Sequence, residues 1–197
     1  MGRVALVRGA YWVCFALGLA GCATGVPVSS DDASQIVSNF TVCRNLTVSN
    51  APKTDASRRI SPYAATVSIR NRTLLTVPTN GCLSSGFGRR PGRRSIHEGI
   101  DISTYRRPSP VVAAGDGRIV FAERSGAYGL TVMINHGRDI VTQYSHLSDI
   151  RKDIKNGDKI SRGTRIGSTG KTGSATGIHL HYEVRVDGKP VDILSIK

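Results

Sequence analysis

The sequence predicts an all-β domain built of antiparallel β-sheet. Two observations carry this. Beyond the amino-terminal stretch, no segment of helix length repeats its apolar positions at the helical period. Instead, short runs of β-branched and aromatic residues are broken by glycine, of which the 197-residue chain has 22. Residues 60–197 are enough for one core and leave no second folded domain.

Taken in order, Met1–Arg8 is short and basic, with Arg3 and Arg8 and no acidic residue. Gly9–Leu19 is an apolar run, well short of the ~20 residues that a membrane-spanning helix needs. It ends in Leu19-Ala20-Gly21-Cys22, which resembles a lipobox. Residues 1–21 are therefore expected to be a lipoprotein signal peptide, with Cys22 the lipid-modified first residue of the mature chain. Ala23 follows, with no Asp, which resembles bacterial lipoproteins sorted to the outer membrane, so anchorage there, facing the periplasm, is what the resemblance implies where the cell has such a membrane. Residues 22–59 are rich in Ser, Thr, Asn, Asp and Ala without sustained periodicity, and are expected to be a tether in loop or disordered conformation. A flexible chain of about 35 residues spans roughly 30–35 Å.

The domain is expected to begin with one or two strands between Ala64 and Val77, where Thr66-Val-Ser-Ile and Thr73-Leu-Leu-Thr-Val carry the β-branched pattern. Of four cysteines, Cys14 leaves with the signal peptide and Cys22 is lipidated, so Cys43 and Cys82 remain. An even pair in an oxidising compartment points to a disulfide joining the tether to the first strands of the domain, with zinc ligation as the alternative.

Four of the five histidines fall in three short patterns: His97-Glu98-Gly99-Ile100-Asp101, Tyr144-Ser145-His146-Leu147 and His179-Leu180-His181. A catalytic zinc needs three protein ligands, an open position, and groups nearby that move protons. His179 and His181 lie in an alternating strand pattern that projects both imidazoles to one face. Both can bind the same metal, or one can bind it while the other reaches the metal's water, and the spacing leaves that choice open. His97 and Asp101 share a face on a strand, and on a helix too. The helical reading would make His97-Glu98-x-x-Asp101 a near relative of the His-Glu-x-x-His motif, with Glu98 as general base. Gly99 in mid-motif, costing about 1 kcal/mol in a helix, and the glycines and proline upstream count against it. His136, in Ile134-Asn135-His136-Gly137, reads as a structural histidine at a strand end.

Together with their surroundings these motifs resemble the lysostaphin-type zinc metallopeptidases, endopeptidases that cut peptide cross-bridges in bacterial cell walls. The matching text includes Ser84-Ser-Gly-Phe-Gly-Arg89, His97-Glu-Gly-Ile-Asp-Ile102, Val112-Ala-Ala-Gly-Asp-Gly-Arg-Ile-Val120, Tyr144-Ser-His-Leu147 and Ser174-Ala-Thr-Gly-Ile-His-Leu-His-Tyr-Glu-Val184. The resemblance covers roughly residues 80–195. It implies a β-sheet or sandwich domain with an open groove, one zinc ion held by His97, Asp101 and His181, and catalytic roles for His146 and His179. Ile178 stands where the family commonly has proline, and Lys171-Thr-Gly-Ser-Ala shifts the glycine-rich loop. The implied activity is zinc-dependent hydrolysis of peptidoglycan cross-links. The alternative is a non-catalytic wall-binding or amidase-activating module of the same fold, but such relatives typically lack several of these residues and here all five stand.

Charge is the least specific signal. The net charge is +13, or +11 without Arg3 and Arg8. Arg89, Arg90, Arg93 and Arg94 cluster just before His97. A basic surface favours anionic lipid, wall polymers or nucleic acid. Nucleic acid is not expected as a partner, given an exported location and no interleaving of aromatic with basic residues. The expected partners are peptidoglycan as substrate and the membrane through the lipid, with the protein a monomer.

Overall fold

The computed structural model describes residues 39–196 apart from 45, 47 and 93. In chain order its strands begin with β1 (Thr66–Ile69), β2 (Arg72–Leu75), β3 (Cys82–Ser85), β4 (Gly88–Arg89) and β5 (Ile96–His97). Next come β6 (Ile100–Ser103), β7 (Pro110–Val112), β8 (Gly117–Ser125), β9 (Gly129–Gly137) and β10 (Ile140–Leu147). The last are β11 (Asp149–Ile150), β12 (Lys159–Ile160), β13 (Arg165–Ser168), β14 (His179–Val186) and β15 (Lys189–Val191). One antiparallel sheet dominates, in the order β12-β8-β9-β10-β14-β6-β3, with β15 also paired to β14. A three-stranded sheet (β11-β13-β7) and the hairpins β1-β2 and β4-β5 complete the domain. The predicted all-β antiparallel architecture is what the chain adopts. Among the described residues no helix is long and apolar enough to cross a membrane.

Alternation along the central strands divides the large sheet into an apolar and a polar face. Leu180, Tyr182 and Val184 of β14 point into the core, where Tyr182 lies directly across from Tyr144 of β10. The two rings stack with centroids 5.4 Å apart. Their hydroxyls are satisfied inside the core: Tyr182 donates to the Leu75 carbonyl, and Tyr144 accepts from the Ala114 amide and the Thr142 hydroxyl. Burial drives the Tyr144 phenol far above its ordinary range and raises that of Tyr182 as well. On the opposite face stand His179, His181, Glu183 and Arg185, with Ser145 and Gln143 of β10 across from His181 and Glu183. A buried polar sheet face of this kind is expensive unless it is paired, so it marks where function sits.

Residues 40–60 depart from the expected tether. Phe40, Val42, Cys43 and Ile60 are buried, and the segment runs alongside the outer edge of β3. Val42 bridges Leu83 and Ser49 bridges Ser85 in parallel register. The Cys43 amide donates to the Leu83 carbonyl at 2.9 Å, and the Leu83 amide to the Thr41 carbonyl at 2.8 Å. A disulfide joins Cys43 to Cys82. The domain therefore includes residues from Phe40 onward rather than beginning at 60. The segment satisfies the exposed edge of a sheet, which otherwise invites pairing with another chain. Residues 1–38, including Cys22 and the signal-like stretch, lie outside the described residues.

Candidate metal centre and cleft

β14 and β6 pair so that His181 lies directly across from Asp101 on the polar face. His97 reaches the same point from the β4-β5 hairpin, where it pairs with Gly88. The turn between His97 and Asp101 depends on Gly99, whose hydrogen faces the Tyr182 backbone: an added Cβ would sit 2.3 Å from that carbonyl oxygen. His97 and Asp101 thus stand on separate strands divided by a close backbone approach, and no helix runs through the motif. Glu98 accepts from the Arg185 guanidinium and takes no part in lining the cleft.

The three candidate ligand atoms form a small triangle. His97 Nε2 is 3.1 Å from Asp101 Oδ1, His181 Nδ1 is 2.9 Å from the same oxygen, and the two nitrogens are 3.0 Å apart. Bonds of about 2.0–2.1 Å to a tetrahedral ion place its ligand atoms about 3.3 Å from one another, so the triangle closes on such an ion with little movement. Two imidazole nitrogens and one carboxylate oxygen, brought together in this way, form the one such His/Asp cluster found among the described residues.

Each candidate ligand is oriented from behind, as metal-binding histidines require. His97 Nδ1 donates to the Gly86 carbonyl at 2.7 Å, which turns Nε2 toward Asp101 and His181. His181 Nε2 donates to Glu183 Oε1 at 2.8 Å, which turns Nδ1 toward Asp101. Glu183 is fully buried and receives Arg185 Nε on its other oxygen at 2.8 Å. Asp101 Oδ2 is held by Arg90 Nη2 at 3.2 Å. Burial would raise the Asp101 carboxyl, but hydrogen bonds from His181 and His97 outweigh it and keep the group ionised far below the usual range. Burial likewise pulls the His181 imidazole down, and its bonds to Asp101 and Glu183 overcome that and push it up to about 9. A proton and a metal ion therefore compete for this ring.

The two remaining histidines flank the triangle. His146 lies at a bulge where the β9-β10 register shifts, and its backbone is left-handed, with φ of 62°. A non-glycine residue held there is strained, and bulges of this kind re-aim side chains beside active sites. Its Nδ1 donates to the Thr172 carbonyl at 2.9 Å. Thr172 is itself pinned: its hydroxyl donates to Leu147 and accepts from the Leu130 amide. Burial and the neighbouring His179 lower the His146 pKa, so the ring is neutral at neutral pH. His179 Nδ1 donates to the Gly177 carbonyl at 2.9 Å, and its Nε2 is 3.8 Å from Asp101 Oδ1. The rings of His146 and His179 are 4.8 Å apart. Both rings thus present a bare Nε2, able to take a proton.

All five residues singled out in the sequence line one cleft of about 380 Å³, with Tyr128 opposite His181 at 5.7 Å between ring centroids. His136 does not join them. It is buried in β9, bonded to the Asp116 carbonyl and the Thr142 hydroxyl, as a structural histidine would be. Sequence reasoning assigned no role to Glu183 or Thr172. The signal for Glu183 was present, since it lies two residues beyond His181 on a strand and so shares its face. Nothing local to Thr172 marks it.

Fold and site define a β-sheet protein whose cleft brings together two histidines and one carboxylate that could hold a metal ion. Residues 95–193 match the sequence model of Peptidase family M23, and the chain belongs to that family. It is 46% identical over 104 residues to the peptidoglycan DD-endopeptidase ShyA of Vibrio cholerae, covering 52% of this chain and 23% of that protein. It is 44% identical over 103 residues to the DD-carboxypeptidase/endopeptidase Mpg of Neisseria meningitidis, covering 51% and 23% respectively. The crystal structure of a zinc-containing peptidase from Vibrio cholerae superimposes with a TM-score of 0.59 at 29% identity, covering 66% of this chain and 45% of that one. The chain thus spans about a quarter of the length of these two curated relatives.

Proposed function

We propose that the protein is a zinc-dependent endopeptidase that hydrolyses peptide cross-links of bacterial peptidoglycan. The observation that carries this reading is the triangle of His97, Asp101 and His181 flanked by two histidines with bare Nε2 atoms. The names of the relatives support the substrate class.

His97 Nε2, Asp101 Oδ1 and His181 Nδ1 would hold the ion. When bound there, zinc supplies a Lewis acid that polarises a peptide carbonyl and acidifies water. Glu183 keeps the His181 ring in the binding tautomer, and Arg90 keeps Asp101 turned inward by holding its other oxygen. His146 and His179 move protons: a neutral Nε2 accepts one from attacking water, and an imidazolium donates one to the leaving amine or to the developing oxyanion. Burial and the neighbouring His179 favour the neutral form of His146. Tyr128 walls the cleft above His181.

The protein is further proposed to be lipid-anchored through Cys22 and to work from the membrane toward the wall, on the strength of the lipobox-like Leu19-Ala20-Gly21-Cys22. Radiolabelled fatty acid should enter the wild-type chain and not Cys22→Ser. For the activity, the zinc-loaded full chain in mild detergent is incubated with purified sacculi, with and without chelator. Release of peptides that stops with chelator and returns with zinc supports the reading. Tight binding to sacculi without release would favour the wall-binding module instead.

A further inference from the structure

The cleft does not end at the metal centre. A second lobe of about 390 Å³ opens from it, and Arg90, Asp101, Thr176 and His179 line both. His146 does not line this lobe, whereas Leu46, Ser49 and Tyr105 do. Leu46 and Ser49 belong to the segment stapled by Cys43–Cys82, which lies outside the residues matched by the family model. Leu46 is 48% exposed and Tyr105 57%, two of the four large apolar side chains so exposed among the described residues. Arg90, with 29% of its side chain exposed, stands where the two lobes meet. Arg89 at the end of β4 and Arg94, Arg106 and Arg107 outside the strands are exposed. Asp101, turned to the metal centre, is the one acid among the described lining residues of the lobe.

The geometry points to this lobe as a subsite for one peptide arm of the cross-linked substrate: an acidic peptide whose free carboxylate is drawn to Arg90 and whose aliphatic part lies on Leu46 and Tyr105. Charge complementarity and continuity with the metal centre commit the occupant to an anionic peptide rather than a neutral one. The segment that builds the wall thereby makes substrate choice a property of this chain rather than of the shared domain. This inference rests on the peptidase reading above.

The test compares zinc-loaded full-length wild type with Leu46→Ala/Tyr105→Ala on a soluble cross-linked peptide dimer, prepared with its carboxylates free or amidated. Both side chains are too exposed for their loss to unfold the domain. The double variant should raise KM about tenfold, the equivalent of ~1.4 kcal/mol of lost contact, with kcat and zinc content unchanged. Amidation should raise the wild-type KM in the same direction. If wild type cleaves and neither change moves KM, the subsite is wrong. If wild type cleaves neither dimer nor sacculi, the peptidase reading fails and the inference falls with it.

Discussion

Glu183 accepts a hydrogen bond from His181 Nε2 at 2.8 Å, and so holds the opposite nitrogen of that ring toward Asp101 Oδ1. A buried carboxylate behind a metal-binding histidine fixes the tautomer and raises the basicity of the ligand. Glu183→Gln should therefore weaken zinc binding by about ten- to a hundredfold. Competition with a chromophoric chelator measures this. Unchanged affinity would mean that Glu183 serves only to pair Arg185.

His146 and His179 lie beside the triangle without belonging to it. Either alanine variant should lower kcat by about a hundredfold to ten-thousandfold, the usual worth of a proton-transfer group, while zinc content stays at the wild-type level. Glu98→Gln is the control. Its carboxylate is paired to Arg185 and away from the cleft, and a partly exposed ion pair is worth at most ~1 kcal/mol, so activity should persist. A dead Glu98→Gln enzyme would restore the helical-motif base that the Gly99 turn argues against.

Acid should inactivate the enzyme reversibly. His146 has its pKa lowered from 6.5 by burial and by His179, so its neutral form, the one that accepts a proton, persists to somewhat below that value. The metal ligands lose ground to protons in the same direction. The acid limb of kcat/KM should lie below pH 6.5. A profile flat from about pH 5 to 8 contradicts the histidine assignment.

Stability carries its own pH signature through His136, whose pKa burial lowers from 6.5. As pH falls below 6.5 the unfolded chain takes up a proton on this residue before the native state does, so stability should fall with pH there. Urea unfolding of zinc-loaded protein at pH 7 and pH 5.5 should show a lower midpoint at the acid value. His136→Gln should shrink the difference.

The disulfide closes a loop of sequence separation 39. On a chain-entropy estimate it contributes about 4 kcal/mol by restricting the unfolded state. Reduction, or Cys43→Ser with Cys82→Ser, should lower the unfolding midpoint and loosen residues 40–60 first, read by hydrogen exchange at Val42 and Cys43.

How much of this was legible beforehand divides by physical cause. His97, Asp101, His146, His179 and His181 stood out by the joint occurrence of their motifs and their resemblance to the lysostaphin-type peptidases, which also supplied their separate roles, and they lie together in the cleft. The strand character of residues 64–77 was legible too, as one or two strands, whereas the hairpin itself rests on the positive φ values of Arg70 and Asn71, which the structure supplies. Residues 40–60 were not. Phe40, Val42 and Ile60 are isolated apolar positions among polar ones, and they are buried because the edge of β3 and Cys82 receive them. That information lies far away in sequence. Glu183 sits between the cases: strand alternation put it on the face of His181, but only the structure shows the bond.

The most direct measurement is mass spectrometry of the peptides left after the zinc-loaded full chain acts on purified, cross-linked sacculi, run beside a chelated sample and His181→Ala. The account predicts loss of cross-linked dimers and a matching gain of monomers with one new amine and one new carboxylate, absent from both controls. Dimers that persist under folded, zinc-loaded protein would contradict it.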